Sequence, residues 1–239
     1  MKFWVVLVTA TILLLLTINI TTQKRLNFTP PPDELTGEIS PRRVLGERFP
    51  SKCARTDELD VLLDKTYGIP EDYVPENLVA VSTKGIPTIN NNLQLKNEAA
   101  DALATMLSEM KQQNLSFMVY SAFRSSETQK QTYLMWLKQL GERAEKRSAL
   151  PGHSEHQLGT AVDIALENGN YLYPSPAWNW LDQNAQNFGF VMSYRYPQTE
   201  GTGYDFEPWH WRYVGVNLAT EIRASGDLVQ NHYRKLCLN

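Results

Sequence analysis

The stretch SEHQLGTAVDI, Ser154–Ile164, holds His156 and Asp163 seven residues apart, with Gly159 between them. Imidazole and carboxylate are the side chains that ligate a zinc-like dication. On a helix, seven residues are two turns, and the pair would be separated by roughly 10 Å. That is too far for direct bonds of about 2 Å to one ion. In one straight strand an odd separation turns the two side chains to opposite faces. A chain that doubles back removes the difficulty, because cross-strand neighbours lie about 5 Å apart. Gly159 can supply the turn, and Thr160–Ile164 reads as a short buried strand. The spacing therefore predicts a hairpin carrying half of a metal site.

The remaining groups come from a small pool, since the chain has four histidines: His153, His156, His210 and His232. His210 lies in EPWH, three residues after Glu207. Pro208 pushes Glu207 toward extended geometry, so this is not the helical H-E-x-x-H of many metalloproteases. Glu207 should stand at the mouth of the strand that carries His210. Two histidines, one aspartate and one open position make a catalytic zinc set. Such a metal activates water, and a neighbouring carboxylate can take its proton and pass it to a leaving amine. Glu207 fits that role by position. Singly, each residue has a plainer explanation: a structural histidine on an aromatic strand, or an aspartate capping a turn. The combination favours chemistry. His153 and His156 also form H-x-x-H, but Pro151-Gly152 argues against a helix there, and His153 reads as a pocket-edge residue. His232 falls in a polar tail and reads as solvated.

SEHQLGTAVD and EPWH together resemble the S-x-H-x-x-G-x-A-x-D and E-x-x-H signatures of VanY-type zinc D-alanyl-D-alanine carboxypeptidases. L,D-carboxypeptidases and D-Ala-D-Ala dipeptidases are relatives of that family. SAFRSSETQ, Ser121–Gln129, is similar to the family's upstream Y-R-S segment, with Phe123 in place of the tyrosine and without its hydroxyl. YGIPEDYVPENLV resembles the family's lead-in, and the likeness runs over roughly residues 59–216. It implies His156, Asp163 and His210 as ligands of one zinc ion per chain, and Glu207 as the general base. It makes Arg124 the cation that meets the developing oxyanion, and Ser154 and Gln129 residues that hold substrate. A guanidinium suits the Arg124 role because it stays charged and offers a fixed fork of donors.

These groups need elements to hold them. Leu95, Ala99, Leu103, Met106, Leu107 and Met110 follow helical spacing over Leu95–Asn114. LSFMVYS, Leu115–Ser121, alternates as a strand does, and Thr128–Lys146 is again helical. Leu78–Val81 ends an extended segment as a strand. Trp178–Phe188 reads as a short helix stopped by Gly189, Phe190–Tyr194 and Trp209–Val214 as strands, and Asn217–Ala224 as a last helix. Strands and helices mix without a βαβ rhythm. This predicts an α+β fold with a small, mainly antiparallel sheet flanked by helices in one catalytic domain.

The chain has 239 residues, room for one such domain, residues 58–239, plus extensions. A net charge of −3 argues against a nucleic-acid partner. Phe3–Ile20 is an uncharged apolar run of 18 residues, which reads as an uncleaved membrane anchor or a signal peptide within residues 1–22. Residues 23–57, with Pro30–Pro32, read as a proline-rich linker. Either reading of the leader places the domain outside the cytoplasm, with membrane contact only through that segment, and a monomer is expected. Cys53 and Cys237 could be joined by a disulfide or stay as thiols. The resemblance implies an exported carboxypeptidase that removes C-terminal D-alanine from peptidoglycan stem peptides. A peptidoglycan endopeptidase and a non-catalytic, zinc-containing wall-binding module are the alternatives.

Overall fold

The computed structural model describes residues 59, 61–196 and 199–238. The expected leader and linker, 1–22 and 23–57, lie outside the described residues, as does Cys53. Among the described residues no helix is long and apolar enough to cross a membrane.

The elements run β1 (Leu78–Ala80), β2 (Gln94–Lys96), α1 (Asn97–Gln112), β3 (Met118–Ser121), α2 (Ser126–Leu140), β4 (Ala161–Ala165), α3 (Pro176–Asn184), β5 (Phe190–Met192), α4 (Thr199–Thr202), β6 (His210–Tyr213), α5 (Val216–Ser225) and α6 (Val229–Leu238). β1 and β2 form a two-stranded antiparallel ribbon, and the other four strands form an antiparallel sheet in the order β3-β4-β6-β5. The fold is α+β, as expected.

Alternation divides the central strands. In the β4–β6 pairing Val162 stands opposite Trp211, and Asp163 stands opposite His210. Val162, Ile164 and Trp211 join the main core with Leu103, Met106, Met110 and Leu181 from α1 and α3. Side chains of successive strand residues point to opposite faces. The face opposite this core therefore carries Asp163 and His210 together. A second cluster, with Leu62, Val191, Ala219, Ile222, Val229 and Tyr233, seats α5 and α6.

Several boundaries differ from the sequence expectation. Leu95 is a strand residue, and α1 begins at Asn97. The backbone of β2 is taken by two long-range bonds: Lys96 N–H donates to Gly159 O at 2.7 Å, and Phe123 N–H donates to Gln94 O at 2.8 Å. α1 ends where Asn114 turns left-handed (φ 58°), consistent with the stop read there. α2 starts at Ser126 because Ser125 caps it, its hydroxyl accepting from Thr128 N–H. It gives way at Gly141 to a 3-10 turn over Gly141–Lys146. The expected polar tail is a further helix, α6, whose Cys237 is buried and disulfide-bonded. His232, half-buried on α6, lies 3.9 Å from Glu221, so it is not simply solvated.

His156 lies in a 3-10 turn, Glu155–Leu158, and not in a hairpin strand. The chain doubles back after it at Gly159, with φ 71°. A Cβ at Gly159 would come within 2.9 Å of Pro75 Cγ and 3.0 Å of Leu78 Cδ2. Gly159→Ala should therefore cost about 2–4 kcal/mol, from left-handed strain and overlap combined. Thermal unfolding checks this, and an unchanged Tm would show that the turn does not depend on glycine.

Candidate active site

His156, Asp163 and His210 are buried, and their ligand atoms all lie within 4.8 Å of one another. Asp163 comes from the middle of β4, His210 from the first position of β6 and His156 from the 3-10 turn before Gly159. The His156 carbonyl ties this turn to the strap after β3, accepting from Arg124 N–H at 3.2 Å.

Both imidazoles have one nitrogen committed to the protein. His156 Nδ1–H donates to Ala122 O at 2.7 Å, which leaves Nε2 facing Asp163 Oδ2 at 3.2 Å. His210 Nε2–H donates to Glu155 Oε2 at 2.9 Å, which leaves Nδ1 facing Asp163 Oδ1 at 3.2 Å. The rings meet edge to face with centroids 4.9 Å apart. Fixing the far nitrogen is how metal-binding histidines are oriented and held in one tautomer. Two imidazole lone pairs and one carboxylate thus converge, a donor set that fits zinc with its fourth position open.

The charges agree. Burial pushes His156 down, toward the neutral ligand form. Burial alone would raise Asp163, but His156 and His210 outweigh it and hold that carboxyl well below the usual carboxylate range. Burial would likewise lower His210, yet its bonds to Asp163 and Glu155 push it up to about 10. The two carboxylates call for a positive charge between them, supplied by a proton on His210 or by a bound cation.

Glu155 is a part of the site that sequence reasoning missed. Fully buried, its carboxylate accepts from His210, from Ser193 Oγ at 2.5 Å, from Arg212 at 3.0 Å and from Gln230 at 3.2 Å. These partners outweigh burial and hold it at about 2, so it stays ionised. Arg212 in turn donates to the carbonyls of Leu59 and Val61, which ties the start of the domain to the site. Alternation offered one signal for this, since Arg212 is two residues from His210 and so shares its face.

Glu207 stands just before β6, its carbonyl accepting from His210 N–H at 3.1 Å. It is not in the ligand cluster. Burial pushes its carboxyl up to about 7, with Asp163 adding to the rise and His210, Arg147 and Arg124 opposing it. Arg124 is tightly held: one guanidinium nitrogen donates to Gln129 Oε1 and the other to Ser121 Oγ, both at 2.8 Å, and Asp163 Oδ2 is 3.8 Å away. Gln129 is buried and donates its amide to Ser148 Oγ and Ala149 O. The structure thus places Gln129 behind Arg124 as its support. Ser154 is buried at the N-terminus of the His156 turn. His153 is pinned to the Asp64 carbonyl at 2.8 Å and lies outside the ligand cluster. Gln157 donates to the carbonyls of Pro70, Glu71 and Tyr73, locking the lead-in segment against the same turn.

This arrangement can be set beside known proteins. Residues 92–216 match the family model for VanY, D-alanyl-D-alanine carboxypeptidase. The YodJ protein of Bacillus subtilis (strain 168) is 34% identical over 188 residues, 73% of this chain and 67% of the relative. Among solved structures, the LdcB LD-carboxypeptidase superposes with a TM-score of 0.68 at 31% identity, covering 75% of this chain and 87% of that one. VanYB in complex with D-alanine-D-alanine gives 0.62 at 29%, covering 72% and 96%. A mutant of the vancomycin-resistance D,D-pentapeptidase VanY in complex with Zn(II) gives 0.62 at 28%, covering 73% and 97%. The matched span takes in more than half of the chain and all of His156, Asp163, His210, Glu207 and Arg124, and the chain therefore belongs to the VanY D-alanyl-D-alanine carboxypeptidase family.

Proposed function

We propose that this chain is an exported zinc carboxypeptidase that removes the C-terminal D-alanine from peptidoglycan stem peptides. One observation carries the reading: a buried His-Asp-His donor set has a non-ligand carboxylate, Glu207, and a pre-positioned guanidinium, Arg124, beside it. When bound, zinc lowers the pKa of its water to about 7 and so supplies a nucleophile at neutral pH. Glu207 accepts the proton of the attacking water and returns it to the leaving amine. Arg124 meets the negative charge that builds on the attacked carbonyl oxygen. His156 and His210 are kept in the ligand tautomer by Ala122 and Glu155. The uncharged run Phe3–Ile20 supports export. D-alanine as the leaving residue suits both the LD and the D-Ala-D-Ala neighbours.

Incubating the zinc-loaded protein with tetrapeptide and pentapeptide stems tests this, with fragments identified by mass. The expected result is loss of a single D-alanine, about one zinc per chain, and loss of both zinc and turnover in His156→Ala. Internal cleavage would favour the endopeptidase alternative. Zinc binding without any cleavage would favour the wall-binding module.

A further inference from the structure

A carboxypeptidase must recognise the end of its substrate, and in the reading above Arg124 is already engaged at the attacked carbonyl. Two of its donors are spent on Gln129 and Ser121, which aim the guanidinium, and its nearest carboxylate is Asp163 Oδ2 at 3.8 Å. A second arginine is differently placed. Arg147 caps the 3-10 turn after α2, its backbone N–H donating to Ala144 O. Its guanidinium lies 4.5 Å over the ring of Trp209, the neighbour of His210, and 5.3 Å from the ring of Trp136. It approaches Glu207 Oε1 at 3.9 Å, which is longer than a hydrogen bond. Among the described residues no acceptor takes a hydrogen bond from its side chain, which is 29% exposed.

We propose that Arg147, in contact with the rings of Trp136 and Trp209, is the specificity residue that grips the terminal carboxylate of the substrate. This rests on the carboxypeptidase reading and names the part of the substrate that the site requires. The covalent geometry supports it. The terminal carboxylate carbon is two bonds from the leaving nitrogen and three from the attacked carbon, hence within about 4 Å of the latter. A cation that binds it must stand beside the group that protonates the leaving nitrogen. Arg147 stands beside Glu207. Cation–π contact with the two indoles restrains the guanidinium, so less freedom remains to be lost when a carboxylate docks on its open donors.

The test uses the full-length, zinc-loaded protein and one stem peptide in two forms, with a free C-terminal carboxylate and with a C-terminal amide. Wild type should prefer the acid. Arg147→Met, which keeps an unbranched stem beside the indoles, should raise KM for the acid about 10- to 100-fold with kcat nearly unchanged. It should also lose most of the preference for acid over amide, and Arg147→Lys should recover part of it. A second arm measures equilibrium binding of both peptides to Glu207→Ala protein with and without Arg147→Met, and the same loss of affinity for the acid is expected. This arm reads Arg147 even where nothing is cut. Absence of cleavage by wild type would overturn the carboxypeptidase reading alone. A preference for the acid that persists in Arg147→Met would overturn the assignment. So would a fall in kcat at constant KM, which would tie Arg147 to Glu207 and not to substrate.

Discussion

Replacing Glu207 by alanine should lower kcat by at least about 10²-fold while zinc content and fold stay as in wild type. The expectation follows from its position. Glu207 is in neither the ligand cluster nor the Glu155 network, so its removal leaves the metal-holding geometry intact. What disappears is the proton acceptor. Glu207 must be ionised to act, and burial puts its carboxyl near 7 in the metal-free protein. A bound dication favours the carboxylate and lowers that value. The acid limb of kcat/KM against pH should therefore fall below 7, and activity should rise with pH as Glu207 loses its proton. The same shift has a sign for stability. An acid whose folded pKa is raised stabilises fully below its unfolded value near 4.5, and that contribution is lost as pH rises through about 7. Metal-free Glu207→Gln should accordingly keep stability at pH 8 that wild type loses. Near-normal turnover in Glu207→Ala would remove it as the base.

Arg124→Ala should depress kcat by about 10²- to 10³-fold, roughly 3–4 kcal/mol of transition-state stabilisation, with little change in KM. The guanidinium is aimed by Ser121 and Gln129, and Gln129 is itself anchored to Ser148 and Ala149. Such a donor needs no reorganisation when charge develops, which is why its loss acts on kcat. Arg124→Lys should recover only part of the loss, because an ammonium cannot occupy both arms of the fork. Steady-state kinetics on the stem peptides check this, with zinc content as the control. A pure KM effect would make Arg124 a carboxylate grip and would leave Arg147 without that task.

The sequence by itself singled out the side chains that the fold brings together. His156, Gly159, Asp163, Glu207 and His210 sit in two short motifs, and the left-handed turn at Gly159 and the extended run into His210 are local backbone preferences legible from residue type. That both motifs run into strands, β4 and β6, was legible for the same reason. What only the tertiary structure decided is how those motifs meet. The register that sets Asp163 opposite His210 links residues 47 apart, and cross-strand burial chooses it, not local propensity. The hairpin expected for His156 became a 3-10 turn because Lys96 and Arg124 claim the carbonyls of Gly159 and His156 from outside the segment. Glu155 looked like one more charged surface residue. It is buried because donors from β6, α6 and the segment after β5 converge on it, and charge is buried only where such partners assemble. Arg147 gave no signal at all. Its meaning lies in the two indoles and the carboxylate that folding brings around it, and partners so distant along the chain leave no pattern in residue spacing.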